Sequence, residues 1–212
     1  MIIAIESASS DPSLALAEPD GVAFAREGWS GENRQGSELL PRLLALLASH
    51  RRSLEETTAV AVGIGPGSFT GLRVGMGVAK GIALARRVPI VGVPSLVAWL
   101  DAEPDAWAAL GRAGAQEAFL LRRGDAKPKV VTRESLQADP PRPPWIAPAE
   151  LAAAFGLVAT RPPHRAAMAV AAAAATRLRL DPTGDDLERL EPAYLRAPRG
   201  LAPTDTEFPR WP

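Results

Sequence analysis

A strand, a glycine-rich turn and a helix that follow one another from residue 58 to residue 87 constrain the fold most. Thr58-Ala-Val-Ala-Val62 is an uninterrupted apolar run, which is typical of a strand buried on both faces. Residues 63–71 are rich in turn formers, and a helix is predicted from Leu72 to about Arg87. Val88 to Gly92 predicts the next strand. Because this order forms a parallel pair with a helical crossover, an α/β protein is predicted.

Three short strands and a leucine-rich helix precede this unit. Ile2 to Ile5, Leu14 to Leu16 and Val22 to Phe24 are predicted strands, the last two joined by a turn at Asp20-Gly21. They indicate an antiparallel meander, so the sheet is predicted to be mixed. A helix is predicted from Ser37, its candidate N-cap, to His50. Its leucines cover more than the stripe of about 100° that packs on one sheet, so it is expected to have apolar neighbours on two sides, and one neighbour can be another molecule.

The second half of the chain has weaker patterns. Pro140-Pro-Arg-Pro-Pro144 predicts an exposed connection, because proline interrupts central strands. One hairpin is predicted, with Glu117 to Leu121 paired to Val130-Val131, and an alanine-rich helix is predicted from Arg165 to Leu180. We therefore predict an N-terminal lobe with dimerisation helices over residues 1–98, a reduced second lobe over residues 99–196, and a tail over residues 197–212 with too little apolar content to predict order.

Composition excludes several kinds of site. The chain has no Cys, which excludes disulfides, a thiol nucleophile and Cys-based metal sites, and its two His, His50 and His164, are too far apart in sequence to suggest a metal cluster. The 24 basic and 24 acidic residues balance, which argues against a free-standing nucleic-acid binder, although a local positive patch can still form. With no long apolar run and no basic leader, we expect a soluble, cytoplasmic protein.

The loop at residues 65–71, Gly-Pro-Gly-Ser-Phe-Thr-Gly, lies where many α/β proteins bind phosphate. It lacks the Lys of a P-loop, and Ser68 stands where a dinucleotide fingerprint has its third Gly. Glycine permits positive φ angles and close backbone approach, and Ser68 or Thr70 can cap the following helix. Two interpretations stay open, a structural turn and an anion site at the helix N-terminus.

The helix after the loop carries small residues at a spacing of four. One row is Gly71, Gly75, Ala79 and Ala83, and the second is Gly77, Gly81 and Ala85. Glycine inside a helix costs about 1 kcal/mol relative to Ala, so four of them indicate close approach of another helix or of the sheet. The predicted partner interface joins this helix to the helix at 37–50 and consists of Leu39, Leu43, Leu47, Gly71, Val74, Gly75, Val78 and Ile82.

Taken in order, these motifs resemble the bacterial TsaB family, also called YeaZ. The resemblance rests on Met1 to Ser9 with Ser13 to Leu16, Gly36 to Pro41, Gly63 to Gly75, Gly92 to Leu96 and Glu191 to Arg196. It covers nearly all of the first 98 residues and returns near the C-terminus. It implies a two-lobed, actin-like (ASKHA) α/β fold built on ribonuclease-H-like mixed sheets, of the kind found in sugar kinases and Hsp70.

The resemblance also implies a non-catalytic, dimerising scaffold subunit of a tRNA-modifying complex. Members of the family pair with their catalytic paralogue TsaD and, together with the ATPase TsaE, transfer a threonylcarbamoyl group to N6 of adenosine 37 in tRNAs that read ANN codons. They also form homodimers through the helices that otherwise meet the paralogue. The resemblance implies no required cofactor, no metal and no membrane contact, and tRNA contact only through the complex; binding of ATP or ADP at the complex interface stays open.

The chain departs from the family pattern at three places. Gly36 stands where members usually have His, Glu6 where they have Asp, and Gly111 to Phe119 where they have an Asp-Ala-Arg and Glu-Val-Tyr segment. The first phosphate-contacting turn of the family corresponds to the segment with Glu6, Ser7 and Ser9. The resemblance makes Glu6, Ser7, Ser9, Ser68 and Thr70 candidates for residual nucleotide contact, beside the interpretation that both turns are structural.

Two other functions of the superfamily stay as alternatives. An M22-type glycopeptidase needs a metal site, which two distant His do not supply. A small-molecule kinase needs a second glycine-rich phosphate loop, for which the later lobe offers only Gly111-Arg-Ala-Gly114. We assign no catalytic residue and expect the protein not to be an enzyme.

Overall fold

Two five-stranded sheets make up the fold in the computed structural model, which describes residues 1–31 and 35–194. The first sheet has the order β3-β2-β1-β4-β5, in which β1 runs antiparallel to β2 and parallel to β4. Its strands are β1 (Ile2–Glu6), β2 (Ser13–Ala17), β3 (Ala23–Gly28), β4 (Ala59–Gly63) and β5 (Ile90–Val93). Every residue of β1 and β4 is buried, and for β4 this confirms the prediction from its uninterrupted apolar run.

Three helices cover this sheet, two on one face and one on the other. α1 (Gln35–Ser49) and α2 (Phe69–Arg86) pack on the face that includes Ile3 and Ile5. α6 (Ala166–Leu180) packs on the face that includes Ile2 and Ala4. The predicted helices are confirmed, but α1 begins two residues before Ser37, so Ser37 lies inside the helix and is not its N-cap.

The second sheet has the order β10-β9-β6-β7-β8 and is also mixed. Its strands are β6 (Ala108–Arg112), β7 (Glu117–Arg122), β8 (Lys129–Thr132), β9 (Trp145–Ile146) and β10 (Thr160–Arg161). The predicted hairpin is the β7–β8 pair, and the proline-rich connection leads into β9. Two strands have two residues each, and the helices α4 (Arg133–Ala138) and α5 (Ala149–Phe155) are short, which agrees with a reduced lobe.

α3 (Ser95–Ala102) lies at the junction of the two sheets. Its Trp99 is fully buried in a cluster with Phe119 and Ile146 of the second sheet. α6 comes late in the chain yet packs on the first sheet, so the core of the first lobe includes residues from beyond position 98. The lobe boundaries at 98 and 196 stay predictions, and the tail over residues 197–212 lies outside the described residues. Among the described helices none is long and apolar enough to cross a membrane.

Candidate interaction face and glycine-rich loop

The glycine-rich loop packs directly against the turn that follows β1. The backbone N of Ser68 donates a hydrogen bond to the Ala8 carbonyl (2.6 Å), and the Ser7 hydroxyl donates one to the Gly71 carbonyl (2.9 Å). A Cβ on Gly67 would lie 2.2 Å from the Ala8 oxygen, and one on Gly71 would lie 2.1 Å from the Ser7 oxygen. Both distances are too short for any side chain. Packing within the chain therefore accounts for these two glycines, which favours the structural interpretation of the loop.

The candidate nucleotide contacts separate into a buried group and a surface group. Glu6, Ser7 and Ser9 are buried beneath the loop, whereas Thr70 is exposed on the first turn of α2. Ser68 is half-buried and is the N-cap of α2, since its hydroxyl accepts a hydrogen bond from the backbone N of Gly71 (3.2 Å). A ligand can thus reach only Ser68 and Thr70 without displacing the loop, and nucleotide contact stays a prediction.

Glu6 is a buried carboxyl group at the end of β1. Its Oε1 accepts a hydrogen bond from the backbone N of Ala8 (2.7 Å), while Oε2 has no hydrogen-bond partner within the described residues. Burial raises the pKa of Glu6 to about 7, and the Ala8 hydrogen bond and the nearby Ser95 and Trp99 side chains only partly oppose that rise. A Cβ on Gly63 would lie 2.0 Å from Oε2, so this glycine makes room for a carboxylate longer than Asp.

The residues predicted to form a partner interface are mostly part of the protein's own core. Leu39, Leu43 and Leu47 point into the cluster beneath α1 and are buried. Gly71, Gly75 and Ile82 are also buried, and only Val74 and Val78 are half-buried at the surface of α2. Six of the eight predicted residues are therefore not available at the surface, and the partner interface itself stays a prediction.

The two rows of small residues in α2 face different surroundings. A Cβ on Gly75 would lie 2.1 Å from the Ser7 hydroxyl oxygen, so this glycine, like Gly71, is required by the turn after β1. A Cβ on Gly77 or Gly81 would have no other atom within 4 Å among the described residues. Within the described residues, therefore, no packing contact accounts for Gly77 and Gly81.

Both helices carry large apolar side chains that are exposed. Leu40 and Leu44 on α1 are 42% and 45% exposed, and Leu84 on α2 is 68% exposed. Helices α1 and α2 touch one another through residues such as Gly36 and Val74. We call this surface the α1–α2 face and define it as Leu40, Leu44, Val74, Gly77, Val78, Gly81 and Leu84.

Sequence reasoning missed a polar cluster between the lobes. Asp11, 1% exposed, accepts hydrogen bonds from the Ser30 hydroxyl and from the backbone N of Ala149 (3.1 Å), the first residue of α5. His164 Nε2 lies 3.4 Å from Asp11 Oδ1 and 3.2 Å from Ser30 Oγ. Both oxygens approach the same ring nitrogen, whereas the Asp of a catalytic triad orients the other nitrogen. The cluster ties the first lobe to the second; no short-range pattern in the sequence signals it.

Several known proteins that are similar to this chain are named for threonylcarbamoyladenosine synthesis on tRNA. A family model described as TsaD, tRNA N6-adenosine threonylcarbamoyltransferase, matches residues 33–124. The tRNA threonylcarbamoyladenosine biosynthesis protein TsaB of Escherichia coli K12 is 38% identical over 96 residues, 45% of this chain and 41% of that protein. A tRNA N6-adenosine threonylcarbamoyltransferase of Solidesulfovibrio magneticus is 40% identical over 95 residues, 45% of this chain and 24% of that protein. The chain thus spans less than half the length of these curated relatives.

Comparison with solved structures shows a protein of similar fold. YeaZ from Pseudomonas aeruginosa is 23% identical to this chain, with a TM-score of 0.67 over 92% of this chain and 99% of that one. Together with the two mixed sheets that meet at α3, this likeness confirms the predicted α/β fold on mixed sheets and shows that the chain has the fold of YeaZ.

Proposed function

From the assignment of this chain to the TsaB (YeaZ) family, which its TsaB, TsaD and YeaZ matches support, we propose that it takes part in threonylcarbamoyladenosine synthesis on tRNA. In this proposal it is the non-catalytic, dimerising scaffold subunit. It pairs with a catalytic paralogue of the TsaD type and activates it, with a TsaE-type ATPase as the third component, and it forms a homodimer when alone. Its contact with tRNA takes place in the complex.

The observation that carries the proposal is the α1–α2 face. Gly77 and Gly81 cost about 1 kcal/mol each in helix stability, and no contact within the described residues accounts for them. Small residues in a helix let a second helix approach closely, and exposed apolar side chains beside them mark a protein contact site. Leu40, Leu44 and Leu84 supply those side chains. In this proposal a helix of the partner lies over Gly77 and Gly81, and the partner covers the three leucines.

The structure changes which residues we assign to this interface. The sequence-based set used Leu39, Leu43 and Leu47, but the α1 side chains one residue further on point outward. We assign the contact to the residues of the α1–α2 face, and keep only Val74 and Val78 from the earlier set.

The packing of the glycine-rich loop favours a subunit that pairs with another protein over a subunit that binds a nucleotide at this loop. The N-terminus of α2, where an α/β protein would hold a phosphate, is capped by Ser68 and covered by the carbonyls of Ser7 and Ala8. ATP or ADP would reach the buried Glu6, Ser7 and Ser9 only if this loop moved. We therefore place any nucleotide of the complex outside the buried Glu6, Ser7 and Ser9. No observation on the described residues favours the glycopeptidase or kinase alternatives.

The test is co-expression with the catalytic paralogue from the same genome, followed by size-exclusion chromatography and a modification assay on tRNA. Gly77→Arg should abolish co-elution and modification, because it places a charge on the face without a clash in the monomer. Val22→Arg adds the same charge at a residue that is 64% exposed on the first lobe and should change neither readout. Failure of the unmodified chain to co-elute, with or without nucleotide, would refute the proposal.

A further inference from the structure

Charge is unevenly distributed along the second lobe. Residues 106–165 contain nine Lys and Arg and five Asp and Glu, although residues 99–196 as a whole contain thirteen of each. A local group of cations can contact a polyanion even when the lobe and the whole chain are neutral, because charge interactions fall off within about 10 Å at ordinary salt.

Part of this charge lies at the end of the second sheet where β6 begins. Trp107 immediately precedes β6; its backbone N donates a hydrogen bond to Pro144 (3.0 Å), and its carbonyl accepts one from Arg123 (2.8 Å). The guanidinium of Arg142 lies 4.7 Å from the centroid of the Trp107 ring. Lys127 lies in the turn between β7 and β8, which follows Arg123 at the same end of the sheet.

The pair of Trp107 and Arg142 differs from the three other cation–aromatic pairs among the described residues. In those, the guanidinium also hydrogen-bonds a side-chain oxygen: Arg42 with Glu27, Arg52 with Glu56, and Arg73 with Tyr194. Arg142 has no such acceptor within the described part of the chain, and Lys127 likewise has no carboxylate partner there. The N–H donors of Arg142 are therefore available to a ligand, and the Trp107 residue that it stacks on is 41% exposed.

These groups have the chemistry of a nucleic-acid contact. Lys and Arg bind phosphate, and single-stranded bases stack on an exposed indole or on a guanidinium plane. We propose that Trp107, Lys127 and Arg142 form an RNA-contacting surface, here called the Trp107 surface. The inference rests on the proposed function in one respect: it identifies the RNA as the tRNA that the complex modifies. A base stacks on Trp107 or on the outer face of Arg142, and the flanking phosphates bind Arg142 and Lys127.

An acidic protein segment is the competing ligand for a cationic surface. It would use Arg142 and Lys127 but would have no need of the exposed indole. A nucleic acid uses both, because every base offers a face that stacks on an aromatic ring. The indole therefore makes RNA the better fit, and replacing Trp107 separates the two ligands.

The experiment measures tRNA binding and modification by the complex of the full chain with its catalytic paralogue. Trp107→Ala and Arg142→Gln should each weaken tRNA affinity on the order of tenfold, with KM for tRNA raised and kcat little changed. Arg142→Gln should also reduce the slope of log affinity against log salt by about one. Arg26→Gln, which removes the same charge from an exposed position on β3, is the matched control and should leave affinity unchanged.

The outcomes separate this inference from the proposed function. If both variants co-elute with the paralogue and keep the affinity and KM for tRNA, the Trp107 surface does not contact RNA, although the proposed function stands. If the variants co-elute less with the paralogue, but the fraction of complex that still forms binds tRNA with unchanged affinity, the surface contacts a protein and the inference is wrong. Because Trp107 borders the sheet, thermal unfolding of each variant is measured as well; Arg142→Gln replaces an exposed side chain and tests the inference even if Trp107→Ala does not fold.

Discussion

Gly77→Ala and Gly81→Ala should stabilise the isolated chain while weakening its association. Each substitution removes a helix penalty of about 1 kcal/mol. Among the described residues no atom outside the local helix backbone lies within 4 Å of the added Cβ, so no clash there opposes the gain. The double variant should therefore gain about 2 kcal/mol in free energy of unfolding. For a chain of 212 residues this corresponds to a rise in Tm of roughly 4–8 °C.

Association should change in the opposite direction. If a partner helix lies against Gly77 and Gly81, each new methyl group holds it away and removes close contacts from the whole α1–α2 face. We expect the double variant to bind its partner at least about tenfold more weakly, a loss of about 1.4 kcal/mol. The same two substitutions thus raise the free energy of unfolding and weaken association with the partner. A general loss of folding would weaken both.

Urea unfolding at low protein concentration measures the first change, since association would otherwise add to the apparent stability. Sedimentation velocity with and without the catalytic paralogue measures the second. Gly75→Ala, on the buried row of the same helix, is the control: its Cβ would meet the Ser7 hydroxyl at 2.1 Å, so it should destabilise the chain by about 1–3 kcal/mol. A less stable double variant, or a more stable one that associates normally, would refute the argument.

Two further predictions concern buried carboxylates. The pKa of Glu6, raised by burial to about 7 from 4.5, means that the folded chain keeps a proton that the unfolded chain releases, so the free energy of unfolding should fall by roughly 3 kcal/mol as pH rises from 4.5 to 7. Glu6→Gln should flatten this dependence in urea titrations and be the more stable form at pH 8; an unchanged pH profile would contradict the assignment. Asp11→Ala leaves the Ser30 hydroxyl and the Ala149 N–H without their acceptor and should cost about 1–3 kcal/mol, measured by the same titration. A loss below 0.5 kcal/mol, within the usual scatter for surface substitutions, would show that the tie between the lobes is weak.

The first sheet could be predicted from sequence because its strands are strongly patterned. The apolar run in β4 and the turn and helix after it allow few other arrangements, and the observed elements begin within a few residues of the predicted ones. In the second lobe, β6 is Ala-Ala-Leu-Gly-Arg, which has low strand propensity, and β9 has only two residues. Both form strands through pairing with β7 and β6, a tertiary effect that no local pattern carries.

Which leucines of α1 belong to the α1–α2 face could not be predicted from the sequence either. α1 has Leu at 39, 40, 43, 44, 46 and 47, so its periodicity does not say which leucines meet the sheet. Only the packed structure divides them, with Leu39 and Leu43 inside and Leu40 and Leu44 outside. The polar cluster at Asp11 was missed for a related reason: Asp11 and Ser30 lie more than a hundred residues before Ala149 and His164, and the two pairs meet only in the folded chain.

The glycines of α2 connect the fold to the proposed function. Their spacing in sequence indicates close approach but does not distinguish an approach from within the chain from one by another molecule. The structure does: Ser7 and the turn after β1 account for Gly71 and Gly75, and no described atom accounts for Gly77 and Gly81. Helix α2 therefore carries small residues on two sides. Packing within the chain requires them on one side and, in our proposal, packing against a partner requires them on the other. If Gly77 and Gly81 served no partner, Ala at both positions would improve the helix at no cost, so the effect of that replacement on association decides between the two explanations.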